Sequence, residues 1–230
     1  MLNHQYMMRF TLIMMFFLFL FSCDSKYDQN QPQGIIEYSV VYTSNKSSIP
    51  TNLLPKKVTL KFKAHKSITS IDGFMGMFCL SNICDFRKYT NTMILKVMDS
   101  KYYYPGSKYE PPFFFDGLKD IDVKPVADTK VIAGFMCKKA VVTYKNANRP
   151  AFDIYYTDQI KIKNPNKSNP FNTINGVLVQ FNITMNNIEM HLTATRYRNE
   201  NISDDLFKVP DDYRKVSREK MSGVLTKLLE

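Results

Sequence analysis

Residues 176–194 read GVLVQFNITMNNIEMHLTA, and their alternation decides the fold. Val177, Val179, Phe181, Ile183 and Met185 occupy one phase of a period of two, against Gln180, Asn182 and Thr184 on the other. Asn186-Asn187 reads as a two-residue turn, and Ile188, Met190, Leu192 and Ala194 return on the same phase. Successive side chains of a strand point to opposite faces, so each run carries one apolar and one wet face. Two such runs joined by a turn predict a β-hairpin.

The rhythm extends in both directions. Val58, Leu60, Phe62 and Ala64 alternate with Thr59, Lys61, Lys63 and His65. Gly34 to Thr43 is rich in Ile, Val and Tyr. Met93, Leu95 and Val97 alternate toward Lys101 to Tyr104 and a turn at Pro105-Gly106. Thr129 to Ile132, Cys137 to Tyr144 and Phe152 to Thr157 bring the series to about ten antiparallel strands, the pattern of a curved sheet, sandwich or barrel. Lys108 to Asp128 breaks it, with Pro111-Pro112 followed by Phe113-Phe114-Phe115. Three consecutive Phe cannot alternate inward, so at least one must be exposed or cover something. Lys161 to Pro170 is a polar loop. Near the end, Met221, Val224, Leu225 and Leu228 follow helical spacing, with Ser217 as the N-cap. Neither an internal repeat nor a second domain is visible.

The beginning of the chain carries an address. Residues 10–21, FTLIMMFFLFLF, follow Arg9 and end in Leu20-Phe21-Ser22-Cys23. A run of about 12 residues suits a signal-peptide core and is too short for a membrane-spanning helix, which needs about 20. A Leu three places before a Cys, with a small residue between them, resembles a lipobox, in which the Cys sulfur is lipidated and the chain is cut before it. An ordinary signal peptide cleaved nearby, or an uncleaved anchor, is the alternative. The organisation expected is a signal peptide over 1–22, a polar tether over 23–33 and one β-rich domain over 34–230.

Composition excludes several functions. The formal charge is +10, but the lysines are dispersed, often at every second position as in Lys57, Lys61 and Lys63. That is the wet face of a sheet, whereas a nucleic-acid binder more often shows a clustered basic stripe; no nucleic-acid partner is expected. His65 and His191 stand singly at outward strand positions. Neither a His-Glu-x-x-His run nor paired Cys-x-x-Cys motifs occur, and there is no Gly-x-Ser-x-Gly elbow. The adjacent acids Asp204-Asp205 and Asp211-Asp212 lie in loop-like sequence. The expectation is no catalytic residue, no metal, no cofactor and no enzyme. Cys79 and Cys84 bracket Leu80, Ser81, Asn82 and Ile83. If Ser81-Asn82 turns a hairpin, the two thiols face each other and a cross-strand disulfide is feasible; two free, half-buried thiols are the alternative. Cys137 has no evident partner.

Residues 128–140, DTKVIAGFMCKKA, are followed by Asp153 to Thr157, Phe171 and Ile174 to Leu178. This order resembles the GLPGLI family of envelope proteins. The naming motif here reads Thr-Ile-Asn-Gly-Val-Leu, matching only in Gly176 and its apolar followers. Leu206 to Tyr213 resembles the closing segment of LolA-like, lipoprotein-sorting domains. The resemblance, from Gly34 to Tyr213, implies a mainly β fold. Its form would be a single strongly curved antiparallel sheet, half closed as a LolA-like barrel, with helix or loop over the open side and a short C-terminal helix. It implies binding rather than catalysis, since LolA-like carriers hold lipid chains in such a concavity.

These readings converge on an envelope lipoprotein, anchored through lipid on Cys23 and expected on the outer membrane. Its candidate apolar ligand site is Phe74, Met75, Met77, Phe113, Phe114 and Phe115, which would take acyl chains or another apolar ligand. The competing expectation is a structural or interaction module with a self-filled core, contacting an envelope protein through a sheet edge or the Pro-Phe loop.

Overall fold

Ile36 and Tyr38 occupy one phase of the first strand and Ile35 the other, and all three are buried. A strand apolar on both phases belongs inside a sheet covered on both faces. The computed structural model describes residues 31–73, 76, 78–145 and 149–230 and places this strand accordingly. β1 (Gln33–Asn45) pairs antiparallel with β2 (Lys57–Lys63) on one side and with β11 (Ile188–Arg198) on the other.

From β2 the sheet continues as a meander through β3 (Lys66–Asp72), β4 (Phe78–Asp85), β5 (Thr90–Val97) and β6 (Ser100–Pro105). From β11 it continues through β10 (Val177–Met185), β9 (Phe152–Thr157), β8 (Phe135–Tyr144) and β7 (Ile121–Ile132). A short β12 (Arg214–Lys215) adds to β6 in parallel. The result is one curved, open sheet of 12 strands in the order β12-β6-β5-β4-β3-β2-β1-β11-β10-β9-β8-β7. The β10–β11 hairpin turns at Asn186, whose φ of 50° lies in the left-handed region that Asn tolerates.

Curvature follows from the core. Met93 of β5 and Cys137 of β8 join one buried cluster although their strands stand far apart in the order. Only the concave side of a bent sheet brings them together. The C-terminal helix α1 (Arg218–Leu229) adds Met221, Leu225 and Leu229 to that cluster. Its N-cap is the one the sequence predicts: Ser217 Oγ accepts the Lys220 N–H at 3.2 Å. On the convex side Ile35, Ile83 and Ile94 are covered by Ile202 and Phe207 of the segment that follows β11. Among the described residues no helix is long and apolar enough to cross a membrane.

Three expectations change. The predicted hairpin at Ser81-Asn82 is absent: β4 runs straight through it, with Ser81 opposite Ile94 and Asn82 opposite Met93. Cys79 and Cys84 are therefore five residues apart on one strand, roughly 17 Å at the usual rise, and both thiols are free. A disulfide between them is excluded, because bridged Cα atoms lie within about 7 Å. Second, β3 is a strand that the apolar pattern does not announce. Third, the broken stretch is shorter than expected, since β7 begins at Ile121. β7 is an edge strand, where Pro125 costs no ladder bond, and the register shifts between Pro125 and Thr129.

Candidate functional site

Inside the curve lies a cavity of about 110 Å³. Its floor is the inward phase of the central strands, including Tyr38, Val58, Leu60, Ile183 and Leu192. Tyr38 is held in place: its hydroxyl donates to the Leu178 carbonyl at 2.8 Å, and its ring meets Phe181 edge-on at 5.7 Å. Burial raises its pKa, so it stays a neutral donor.

The roof comes from two segments between strands. Residues 113–115 form a single 3-10 turn, which resolves the three consecutive Phe. Phe113 packs edge-on against Tyr104 at 6.1 Å, with the Arg218 guanidinium 4.2 Å from its ring centre. Phe114 and Phe115 line the cavity, and Phe115 also meets Phe171 edge-on at 5.8 Å. Arg218 ties this roof to α1 by ion pairs with Glu110 and, at 2.7 Å, with Asp116. Burial raises the Asp116 pKa against the pull of Arg218. Burial acts on Glu110 in the same sense, but hydrogen bonds from Ser107, Tyr104 and Arg218 outweigh it and leave that pKa lowered. Gly117 ends the turn where a Cβ would lie 2.5 Å from Thr184 of β10. The second roof segment is the polar loop after β9. There Asn166 is buried and donates to the Ile174 and Gly176 carbonyls at 3.0 and 2.8 Å.

One wall is polar. Ser67 and Thr69 of β3 face inward beside Asn82 and Cys84 of β4, with Thr69 opposite Asn82 and Ser67 opposite Cys84. Asn82 is 2% exposed; its Nδ2 donates to Cys84 Sγ at 3.0 Å, and its Oδ1 has no hydrogen-bond partner among the described residues. A buried oxygen left unpaired costs about 1–3 kcal/mol. Burial pushes the Cys84 thiol up to about 12 and the Cys79 thiol to about 11, so neither is a thiolate nucleophile near neutral pH. Among the described residues no cluster of His, Cys, Asp and Glu has the makings of a metal site.

Of the apolar residues expected at a ligand site, Phe114 and Phe115 line the cavity, while Phe113 braces the roof from behind. Phe74, Met75 and Met77 lie outside the described residues, as does Cys23. The apolar pattern alone does not point to the polar wall. Its signal was available: hydrophilic residues on the inward phase of β3 and β4.

His191 is not at the cavity. It lies on the outer phase of β11, and its Nδ1 lies 2.6 Å from the Asn182 Oδ1. Asn182 Oδ1 can only accept, so Nδ1 carries the proton and Nε2 accepts from Gln180 Nε2 at 2.8 Å. Burial, followed by the charge of Lys130, lowers the His191 pKa. The unfolded chain therefore binds the proton more readily. The stability this neutral imidazole contributes is complete above the ordinary His value near 6.5 and is lost as pH falls through the lower folded value. A melting series from pH 7.5 to 5 is expected to show a declining midpoint, and His191→Gln should flatten that decline.

No known protein family matches the chain, and no curated protein matches it. Among solved structures it is similar to MucB at 11% identity, covering 78% of this chain and 58% of MucB, with a TM-score of 0.33. It is also similar to LprF from Mycobacterium bovis at 12% identity, covering 75% of this chain and 89% of LprF, with a TM-score of 0.30. The chain thus spans less than two thirds of MucB. Identities of 11 and 12% transfer no ligand or partner to it.

Proposed function

We propose that the protein is a non-enzymatic lipoprotein of the cell envelope, held at the outer membrane by lipid on Cys23, that takes part of an apolar chain into its concave cavity. The observation that carries this is the cavity itself: mostly apolar walls under a roof of Phe114 and Phe115, in a sheet otherwise packed by its own side chains.

A cavity of about 150 Å³ lined by apolar side chains takes up benzene. By that measure the 110 Å³ here holds about four or five carbon atoms of a chain. At about 0.8 kcal/mol for each buried methylene, they contribute roughly 3–4 kcal/mol, an affinity near millimolar. Tight binding of a long acyl chain needs the Phe113–Phe115 turn to lift.

The rival, an interaction module, draws on the same filling. Burial of Phe113 and Phe114 removes them as a contact surface, but the β7–β8 end exposes Val131 and Met136, opposite one another in register.

The test is organic extraction of the full chain purified from membranes, followed by mass spectrometry and displacement of a fluorescent acyl probe. An apolar molecule other than the N-terminal lipid, or saturable displacement, is expected. A folded protein that yields neither leaves the rival, whose partner should cross-link at Val131. Radiolabelled palmitate incorporation that persists in Cys23→Ala would overturn the anchor.

A further inference from the structure

We propose that Asn82 is the polar end of the cavity and selects an uncharged amphiphile bearing a hydroxyl group, of the long-chain alcohol or monoacylglycerol type, over a free fatty acid. This rests on the reading of the cavity as a site for an apolar chain.

Asn82 faces the cavity from the same phase of β4 as Phe78 and Leu80, which are both core residues. An apolar side chain would continue that face without leaving a polar atom unpaired. Instead the strand carries an amide whose Nδ2 is engaged by Cys84 and whose Oδ1 is buried without a partner. A buried, unpaired oxygen on a side chain that lines a cavity is an acceptor awaiting a donor. A hydroxyl group supplies one. It also suits the amide in its other rotamer, in which the neutral Cys84 thiol donates to the oxygen and the nitrogen is left free, because a hydroxyl both donates and accepts. Ser67 and Thr69 stand beside the amide on β3 and widen the polar patch.

The charge around the cavity decides against a carboxylate. Asp85 lines it, and among the described residues no Lys, Arg or His does. An ionised headgroup would enter without a counter-charge and beside a like charge, which is the costly way to bury an ion.

The experiment uses the full chain in one detergent at fixed concentration, with three six-carbon probes: 1-hexanol, 1-methoxypentane and hexanoate, with hexane as the reference for apolar filling. Affinity is read from the ligand dependence of the melting temperature. 1-Hexanol is expected to bind about ten-fold more tightly than 1-methoxypentane, the worth of one net hydrogen bond, and more tightly than hexanoate. In Asn82→Leu the preference for 1-hexanol over 1-methoxypentane should fall below about three-fold while hexane still binds. Equal binding of 1-hexanol and 1-methoxypentane by the unchanged protein overturns the role of Asn82, whether or not the variant folds. So does a preference that survives in a folded Asn82→Leu. Failure of all four probes, hexane included, to shift the folded protein is a different result: it removes the cavity as a ligand site altogether.

Discussion

Phe114→Ala is expected to destabilise the protein by about 3–5 kcal/mol, the range for deleting a buried aromatic ring, and at the same time to let longer chains into the cavity. Phe114 is 4% exposed and is shared between the core and the roof. Its neighbours on the turn are fixed independently, Phe113 beneath Arg218 and against Tyr104, and Phe115 against Phe171. The backbone of the turn therefore has little freedom to collapse into the space the ring leaves, and the loss should sit at the upper part of that range. Urea unfolding gives the first number. A chain-length series of apolar probes gives the second: affinity that levels off after a few carbons in the unchanged protein should continue to rise in the variant. Saturating ligand should restore part of the lost stability by mass action. A variant that loses stability but gains no longer-chain binding would place the ring in the core alone.

Gly34→Ala is the second large effect, about 3 kcal/mol or more. Two costs coincide. Gly34 has φ of +155°, at the edge of the region that L side chains rarely adopt, and occupying such a region costs about 1–3 kcal/mol. The new Cβ would also lie 2.6 Å from the Arg198 carbonyl oxygen and 3.0 Å from the Tyr197 ring. A ring can swing aside, but the Arg198 carbonyl belongs to β11, which pairs with β1 next to this point. Relief requires the two strands to part, and forced overpacking of this kind costs about 1–3 kcal/mol. The melting temperature should fall by on the order of 10 °C. A fall of only one or two degrees would mean that the β1–β11 ladder yields locally at its end.

The sequence was legible wherever one phase of a strand is apolar and the other wet. The β10–β11 hairpin, β2 and β5 announce themselves in this way, and α1 does so through helical spacing and its Ser217 cap. Besides the early start of β7, legibility failed on the adjacent strands β3 and β4 for one physical reason. β3 turns Ser67 and Thr69 toward the interior and Ile68 toward the convex face, so neither phase reads as apolar. In β4 the pair Ser81-Asn82 looks like a turn because both residues are hydrophilic. Yet Ser81 is buried on the outer face, hydrogen-bonded to Ser70 at 2.8 Å, and Asn82 is buried on the inner one. Of the hydrophilic positions that hid these strands, Ser67, Thr69 and Asn82 belong to the polar wall of the cavity. Local rules of patterning tend to be broken where a site needs other chemistry. The candidate residues chosen for apolar bulk reached half of the roof through Phe114 and Phe115, but bulk gives no hint of an unpaired amide.

The place of β1 in the sheet also has a mechanical meaning. The segment that leads back toward Cys23 enters the fold at Gln33, at the start of a strand flanked on both sides by antiparallel neighbours. A tug arriving there meets two ladders of hydrogen bonds rather than one, and the Gln33 side chain adds a further bond by accepting the Ile202 N–H at 3.1 Å. An edge strand such as β7 could be peeled away one rung at a time. β1 cannot leave without shearing its ladders with β2 and β11 together, so a pull on this end of the domain, such as the proposed anchor would exert, falls on an interior strand and not on an edge.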